Sequence, residues 1–164
     1  MRYLVRERLF SIKEDFWITD EHGNRIFFVN AKILTIHGTL DLQDASGHKL
    51  ATIKHKLLTF TDKMEIEHDG HVEATVHKAV FSPLHHKSRI DLRHGGHLEA
   101  TGNILDKDFK IHEGHHEVAH ISRKWFKIRD TYGVEVAPGQ NDALMICIAV
   151  CLDRIHHDEE ESHH

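Results

Sequence analysis

Two lysines, Lys54 and Lys56, have the spacing in this chain that best suits the binding of an anion. Alternate residues of a strand point to the same face, so their ammonium groups would lie roughly 7 Å apart on one surface. An ordinary charged outer strand face has the same pattern, so both interpretations stay open. Lys87, Arg89 and Arg93 add positive charge on another predicted strand, at a distance that the sequence does not give.

Histidine is the most conspicuous residue type, with nineteen copies. Neutral imidazole binds zinc, copper or nickel, and two groups could converge on such an ion: His112, His115, His116 and His120, or His94 and His97. Most of these residues fall at predicted turns or on polar strand faces, without cysteine or carboxylate at ligand spacing. We therefore predict solvent-exposed histidines, no metal site and no cofactor.

The sequence lacks the usual motifs of nucleophilic catalysis. It contains no Gly-x-Ser-x-Gly elbow and no phosphate-binding loop. Cys147 and Cys151 lie four residues apart in an apolar run, which is typical of small core residues in a reduced protein. Ser46, Ser82 and Ser122 have histidines nearby, as chance alone produces in so histidine-rich a chain. A non-enzymatic protein is the prediction.

The apolar run from Ala143 to Leu152 predicts a helix that is buried on all sides. Asn141 or Asp142 can accept hydrogen bonds from the first turn and so cap its start. The run is shorter than the roughly 20 residues that cross a bilayer, so no transmembrane segment is expected.

The rest of the chain predicts about a dozen short strands around that helix. Turn sequences with glycine recur at Gly23, Gly47, Gly70, Gly95 and Gly114, and the segments between them largely alternate apolar and polar residues. The expected strands include 32–40 and 126–128, and the clearest long connection is 81–87. An antiparallel barrel with its apolar face inward would enclose the helix.

Length and composition predict one domain, residues 1–155, followed by an acidic, histidine-rich mobile tail, residues 156–164. The net charge of −5 gives no case for nucleic acid. The charged N-terminus does not have the pattern of a signal peptide, which favours a cytoplasmic location.

Several stretches resemble the LOR family, which has the tubby-like fold: 1–10, 118–124, 130–136 and 138–142, the last running into the helix that ends at Leu152 and Asp153. The resemblance implies a mainly β protein, a closed antiparallel β-barrel of about twelve strands enclosing a hydrophobic C-terminal helix. It implies little about activity, since a fold hosts many functions.

Two related groups suggest ligands. Phospholipid scramblases are similar around the start of the helix, where their acidic segment is implicated in calcium binding. Asp130, Asn141 and Asp142 provide fewer carboxylates than calcium requires, so Asp142 is better interpreted as a helix cap. Tubby proteins resemble the segment of Lys54 and Lys56, where alternating basic residues hold phosphoinositide head groups, although Leu57 and Leu58 follow here.

We therefore expect a non-enzymatic cytoplasmic binding module that engages anionic phospholipid head groups at the membrane surface through Lys54 and Lys56. A small-molecule or protein-binding scaffold with no membrane role is the alternative, and an enzyme is the third. A lipid-binding module requires a contiguous basic patch, a scaffold an exposed apolar groove, and an enzyme a pocket with perturbed titratable groups.

Overall fold

The computed structural model of the chain describes residues 1–58, 61–78, 80–81, 86–104 and 106–162, with the side chains of 55–58, 61–62, 80–81 and 157–162 left aside. Within these described ranges, thirteen strands form one antiparallel sheet. They are β1 Arg2–Arg6, β2 Phe16–Asp20, β3 Arg25–Val29, β4 Leu40–Asp44, β5 Lys49–Leu58, β6 Thr61–His68, β7 His71–His77, β8 Val80–Phe81, β9 His86–Leu92, β10 His97–Asn103, β11 Asp108–Glu113, β12 His116–Ser122 and β13 Thr131–Val136.

Twelve of these strands close into a barrel. The order runs from β10 through β13, then β1 to β7 and β9, and β9 pairs back with β10. The two-residue β8 is an addition on β9. The predicted fold is confirmed: a closed twelve-strand antiparallel barrel with a C-terminal helix.

Helix α2, Asp142–Ser162, passes through the barrel. Ile146, Ile148 and Leu152 have no exposed surface, and the rest of the run from Met145 to Leu152 is at most 3% exposed, which confirms burial on all sides for these residues. Ala143 and Leu144, at the start of the predicted run, are only partly buried. Asn141 caps the helix, because its Oδ1 accepts a hydrogen bond from Leu144 N at 3.1 Å. Asp142 instead accepts a hydrogen bond from the hydroxyl of Tyr3.

The predicted tail begins differently in the structure. His156 belongs to α2 and is buried, with its ring centroid 4.9 Å from that of His86. It follows Leu152 by four residues and therefore lies on the same buried helix face. The acidic residues that follow His156 along the chain gave no sign of this burial. The placement of His156 in a mobile tail was wrong, whereas the wider division into domain and tail stays a prediction.

Two expected strands are not strands. Residues 32–40 contain helix α1, Ala31–His37, because Asn30 Oδ1 accepts from Lys32 N and Ile33 N and Gly38 ends the helix at φ 66°. Residues 126–128 lie in a segment without strand pairing between β12 and β13. The predicted connection 81–87 is described only at its two ends, in β8 and β9; its middle, 82–85, lies outside the described residues.

The two ends of the barrel differ. Because all neighbouring strands are antiparallel, the turns 21–24, 45–48, 69–70, 93–96 and 114–115 all lie at one end, which we call the hairpin end. Every glycine predicted at these turns has a positive φ, but only the two-residue turns 69–70 and 114–115 begin at a residue with positive φ, as primed turns require. Longer segments, among them 7–15, 30–39, 104–107 and 123–130, lie at the opposite end, which we call the connection end.

A buried ion pair holds α2 at the connection end. Lys107 Nζ lies 3.0 Å from Asp153 Oδ1, and the two residues are 6% and 5% exposed. The other oxygen of Asp153 accepts a hydrogen bond from Arg8 N at 2.7 Å. Arg8 and Lys107 both have positive φ, and the hydrogen bond from Arg8 N ties the unusual backbone conformation of Arg8 directly to Asp153.

Candidate functional site

Lys54 lies on the outer face of β5 and is already paired. Its Nζ is 2.8 Å from Glu67 Oε2 of β6, and about half of its side chain is exposed. The hydrogen bond and charge of Glu67, followed by the charges of Glu65 and Asp41, hold the pKa of Lys54 above its usual value. An incoming anion at this point would therefore meet three carboxylates as well as the ammonium group.

Lys56 lies in the same strand, and its backbone pairs with Lys63. Its side chain lies outside the described residues, so the predicted spacing of the two ammonium groups stays a prediction. Beside Lys54, α1 and β4 to β6 line a polar groove of about 840 Å³. The groove combines Lys49 and Lys54 with Asp41, Glu67 and Asp69, which gives it no excess of positive charge.

The other predicted cations are distant from this site. Lys87, Arg89 and Arg93 lie on or just after β9, which β6 and β7 separate from β5. Each has a carboxylate partner: Lys87 with Glu99 at 3.4 Å, Arg89 with Asp91 at 2.7 Å and Arg93 with Glu73 at 3.1 Å. The structure does not combine them with Lys54 into one patch.

The histidines considered as metal ligands lie on the surface. Within the described part of the chain, no three histidine, cysteine or acidic side chains come together as a metal site. His94, His97, His115 and His116 are exposed at hairpin turns. His120 lies edge-on to Trp125, with ring centroids 4.9 Å apart, between Asp108 and Glu117.

The two cysteines are enclosed by the barrel. Burial raises the pKa of Cys147 to about 12 and also raises the pKa of Cys151 well above its ordinary value. A buried thiol that stays protonated is a poor nucleophile, since the thiolate is the reactive form. These residues serve as core side chains.

A basic and aromatic segment lies at the connection end, between β12 and β13. Residues 123–129 read Arg-Lys-Trp-Phe-Lys-Ile-Arg, with four cations in seven residues. Lys124, Lys127 and Arg129 are exposed, and so is Ile128, which has 55% of its surface open. We call residues 123–129 the basic segment.

Two aromatic rings anchor the basic segment to the barrel wall. Trp125 and Phe126 pack on Gly133 of β13, where a Cβ atom would come within 2.7 Å of Trp125 Cε3. The guanidinium carbon of Arg2 lies 4.5 Å from the Trp125 ring centroid. Glu7 N also donates to Asp130 O at 2.8 Å, beside the end of the segment. The segment is thus held in place while its outer side chains remain open to solvent.

The charge around the basic segment is positive. Residues 6–14 and 122–130, which are adjacent at this end, contain seven lysines and arginines and three acidic residues. Arg123 is paired with Glu7, and Arg129 lies 3.8 Å from Asp130. Among the described residues, Lys124 and Lys127 have no ion-pair partner.

Comparison with known proteins identifies the family. A family model described as LURP-one-related matches residues 1–153. The chain belongs to the LURP-one-related (LOR) family. It is 28% identical to the uncharacterized protein YxjI of Bacillus subtilis over 96% of each chain. It is 24% identical to the protein LURP-one-related 15 of Arabidopsis thaliana, covering 95% of this chain and 80% of that protein.

The fold of the LOR family is also seen in a solved structure. An X-ray structure of an Arabidopsis thaliana protein has a TM-score of 0.66 with this chain at 20% identity, covering 94% of this chain and 91% of that one. Among the described residues of this LOR protein, no helix is both long enough and apolar enough to cross a membrane.

The basic segment of this LOR protein was not predicted, because the alternation of residues 126–129 resembles that of a strand. Phe126 and Ile128 do alternate with Lys127 and Arg129, but these residues form no hydrogen-bonded pairing with a neighbouring strand. The informative signal was the interleaving of four cations with Trp125, Phe126 and Ile128, which is typical of segments that contact anionic interfaces.

Proposed function

We propose that this LOR protein is a non-enzymatic, cytoplasmic module that binds anionic phospholipid surfaces peripherally through the basic segment. The observation that carries the proposal is the exposure of Lys124, Lys127, Ile128 and Arg129 together on an anchored segment. Cations attract the anionic head groups, and an exposed isoleucine can enter the apolar boundary below them.

The energies suit a reversible contact. Each lysine or arginine near an anionic membrane contributes about 1 kcal/mol, so Lys124, Lys127 and Arg129 together contribute about 3 kcal/mol. Burial of Ile128 in the interface adds at most about 1.5–3 kcal/mol. The net charge of −5 and the acidic residues 158–161, which follow the connection end along α2, oppose binding. Affinity should therefore be weak and sensitive to salt.

The basic segment supports the proposal better than the lysine pair does. Lys54 has a carboxylate partner at 2.8 Å, whereas Lys124 and Lys127 have none among the described residues. An anion at Lys54 must compete with Glu67, and that competition removes most of the gain. Lys54 and Lys56 remain a second candidate site for the same head groups.

Sedimentation with vesicles tests the proposal and separates the two sites. Wild-type protein at pH 7.4 should bind vesicles containing phosphatidylserine at low salt, bind less at high salt, and ignore pure phosphatidylcholine. Replacing two cations by Glu, Lys124→Glu with Lys127→Glu, should weaken binding at least about tenfold, since the lost attraction and added repulsion exceed 1.4 kcal/mol. Ile128→Ser should weaken it less and leave the salt dependence intact.

A charge-matched control distinguishes local contact from net charge. Arg25→Glu with Arg93→Glu makes the same change in net charge on exposed residues at the hairpin end, away from the basic segment and from the groove beside Lys54, and should alter binding less than about threefold. Loss of binding in Lys54→Glu with Lys56→Glu, but not in the variant of the basic segment, would move the site to β5. No binding by folded wild-type protein would refute the proposal.

A scaffold without a membrane role is the second candidate function. The polar groove beside α1 favours it, because Ile33 lines the groove together with Asp41 and Glu67. That combination fits a ligand with a basic group and an apolar part. Folded wild-type protein that ignores anionic vesicles would favour this alternative.

A further inference from the structure

The hairpin end carries histidine at every tight turn. Eight of the nineteen histidines lie in or beside the five turns, and all eight are exposed. They are His22, His48, His68, His71, His94, His97, His115 and His116. Because the twelve-strand barrel is closed, these turns follow one another around its rim, and so do the histidines. We call these eight residues the histidine rim.

The fixed charges at this end are negative. The ranges 20–25, 44–49, 68–73, 93–97 and 113–117 contain seven carboxylates and three fixed cations, a net charge of −4. The carboxylates are Asp20, Glu21, Asp44, Asp69, Glu73, Glu113 and Glu117, and the cations are Arg25, Lys49 and Arg93. From β1, β13 and α2, the Met1 amino group and Arg2 are balanced by Glu135 and Asp142.

Histidine is the side chain whose charge ordinarily changes between pH 5 and 8. Full protonation of the histidine rim would add eight charges and reverse the hairpin end from −4 to +4. Four rim histidines already face a carboxylate: His22 beside Asp20, His48 with Asp44 at 3.3 Å, His68 with Asp69 at 3.2 Å and His97 with Glu99 at 3.8 Å. The remaining four, His71, His94, His115 and His116, supply charge that an external anion can meet.

We propose that the histidine rim is a second anion-binding surface, active at acidic pH, and that its ligand is an anionic phospholipid bilayer. The proposal rests on the function proposed for the basic segment, which provides the first contact. With both ends engaged, one molecule bridges two membranes. The protein therefore binds vesicles singly near neutral pH and tethers them at acidic pH.

The distance between the two surfaces supports independent action. Asp142 and Asp153 lie near the two ends of the barrel, and eleven helical steps between them span about 17 Å. The Debye length at physiological salt is about 8 Å, so charge at one end barely affects an anion at the other. The exposed residues 127–129 lie just before the connection-end start of β13, one barrel height from the rim, whereas Trp125 of the same segment reaches back along the wall to Arg2.

Light scattering with phosphatidylserine vesicles tests the proposal. Wild-type protein should raise the scattering of the vesicles at least about fivefold at pH 5.5 and leave it unchanged at pH 7.4, where the same protein still sediments with vesicles. Protein without vesicles, and protein with pure phosphatidylcholine vesicles, should show no rise at pH 5.5. Vesicle clustering at pH 7.4 would overturn the proposal, because it would show bridging without the protonated rim.

Variants assign the effect to the rim. His71→Gln, His94→Gln, His115→Gln and His116→Gln combined should abolish clustering at pH 5.5 and leave binding at pH 7.4 unchanged. The control His37→Gln with His77→Gln, outside the turns, should cluster as wild type does. Clustering that persists in the rim variant refutes the proposal.

The basic-segment variant separates this inference from the proposed function. Lys124→Glu with Lys127→Glu should bind vesicles at pH 5.5 through the rim, fail to bind at pH 7.4, and cluster them at neither pH. Wild-type binding at pH 7.4 without clustering at pH 5.5 would refute the second surface alone. Wild-type binding only at pH 5.5, lost in the rim variant, would refute the function of the basic segment while keeping the rim.

Discussion

The hairpin end and the connection end of this barrel are built by different kinds of interaction. At the hairpin end, local contacts close each turn: Asp20 Oδ1 accepts from His22 N and Asn24 N at 2.9 Å, and Asp44 Oδ1 accepts from Ser46 N and His48 N at the same distance. At the connection end, partners distant in sequence meet, as when Asp153 contacts Arg8 and Lys107.

This difference in construction determines which side chains each end of the barrel can expose. The short hairpin turns carry exposed histidines beside their fixed charges, so the net charge of this end depends on pH. A connection of eight residues, such as 123–130, can fold back over the wall and expose fixed cations beside Ile128. Loops positioned by a rigid scaffold are the usual location of binding residues, and here the barrel holds the two kinds apart.

The largest loss of stability should come from placing a charge in the buried part of α2, the helix that runs between the two ends of the barrel. Ile148→Asp places a carboxylate with no partner where the native side chain has no exposed surface. The expected loss exceeds about 5 kcal/mol, which removes most of the stability of a typical domain, so soluble folded protein should not be recovered. Ile36→Asp, at a residue 62% exposed, is the control and should unfold within a few degrees of wild type. A soluble, cooperatively unfolding Ile148→Asp protein would show that the helix is peripheral.

The next effect contrasts a buried ion pair with an exposed one. Asp153→Ala leaves the ammonium group of Lys107 buried without its carboxylate and should cost about 3–5 kcal/mol in chemical denaturation. Glu73→Ala breaks a pair with Arg93 at the hairpin end and should cost less than about 1 kcal/mol. The double variant Lys107→Met with Asp153→Leu should regain much of the loss. Equal losses at the two ends would show that the buried pair contributes no more to stability than the exposed one.

A smaller effect concerns acid stability at the connection end. Burial, together with the charges of His86 and Lys107 and against that of Asp153, lowers the pKa of His156 to about 4. An unfolded histidine binds its proton near pH 6.5, so stability falls as the pH drops from about 6.5 toward 4, by a total on the order of 3 kcal/mol. Thermal unfolding at pH 6.5 and 5 should show a smaller decrease in His156→Gln than in wild type. His94→Gln, at the hairpin end, should keep the wild-type decrease; the same slope in all three proteins would show that His156 is not the cause.

The smallest effect is expected from the removal of metal ions, which should leave the melting temperature unchanged. If the histidine rim holds no structural metal ion, a chelator should change the melting temperature by less than about 1 °C, since only a ligand of the native state stabilises it. A decrease of many degrees, reversed by one equivalent of zinc, would show that the hairpin end contains a metal site and would require a different account of the rim.

Sequence patterns predicted most of the architecture but not the candidate site. The barrel was predicted from the glycine turns and from the alternation of apolar and polar residues between them. The buried helix was predicted from a run of residues without a polar side chain. The site depends on which cations have carboxylate partners, and that is a matter of distance in space. Lys54 finds Glu67 one strand away, whereas Lys124 and Lys127 find no partner among the described residues. Spacing along one strand cannot reveal either outcome.

The sequence by itself determined the hairpin end, because each of its turns is closed by residues within five positions of one another. It determined the burial of α2 for a similar reason, since the apolar run has no polar face to present to water. Only the tertiary structure decided two features of the connection end: the burial of His156 and the packing of Trp125 on Gly133. Both depend on contacts between different elements, whose free energies outweigh the local preference of a short segment.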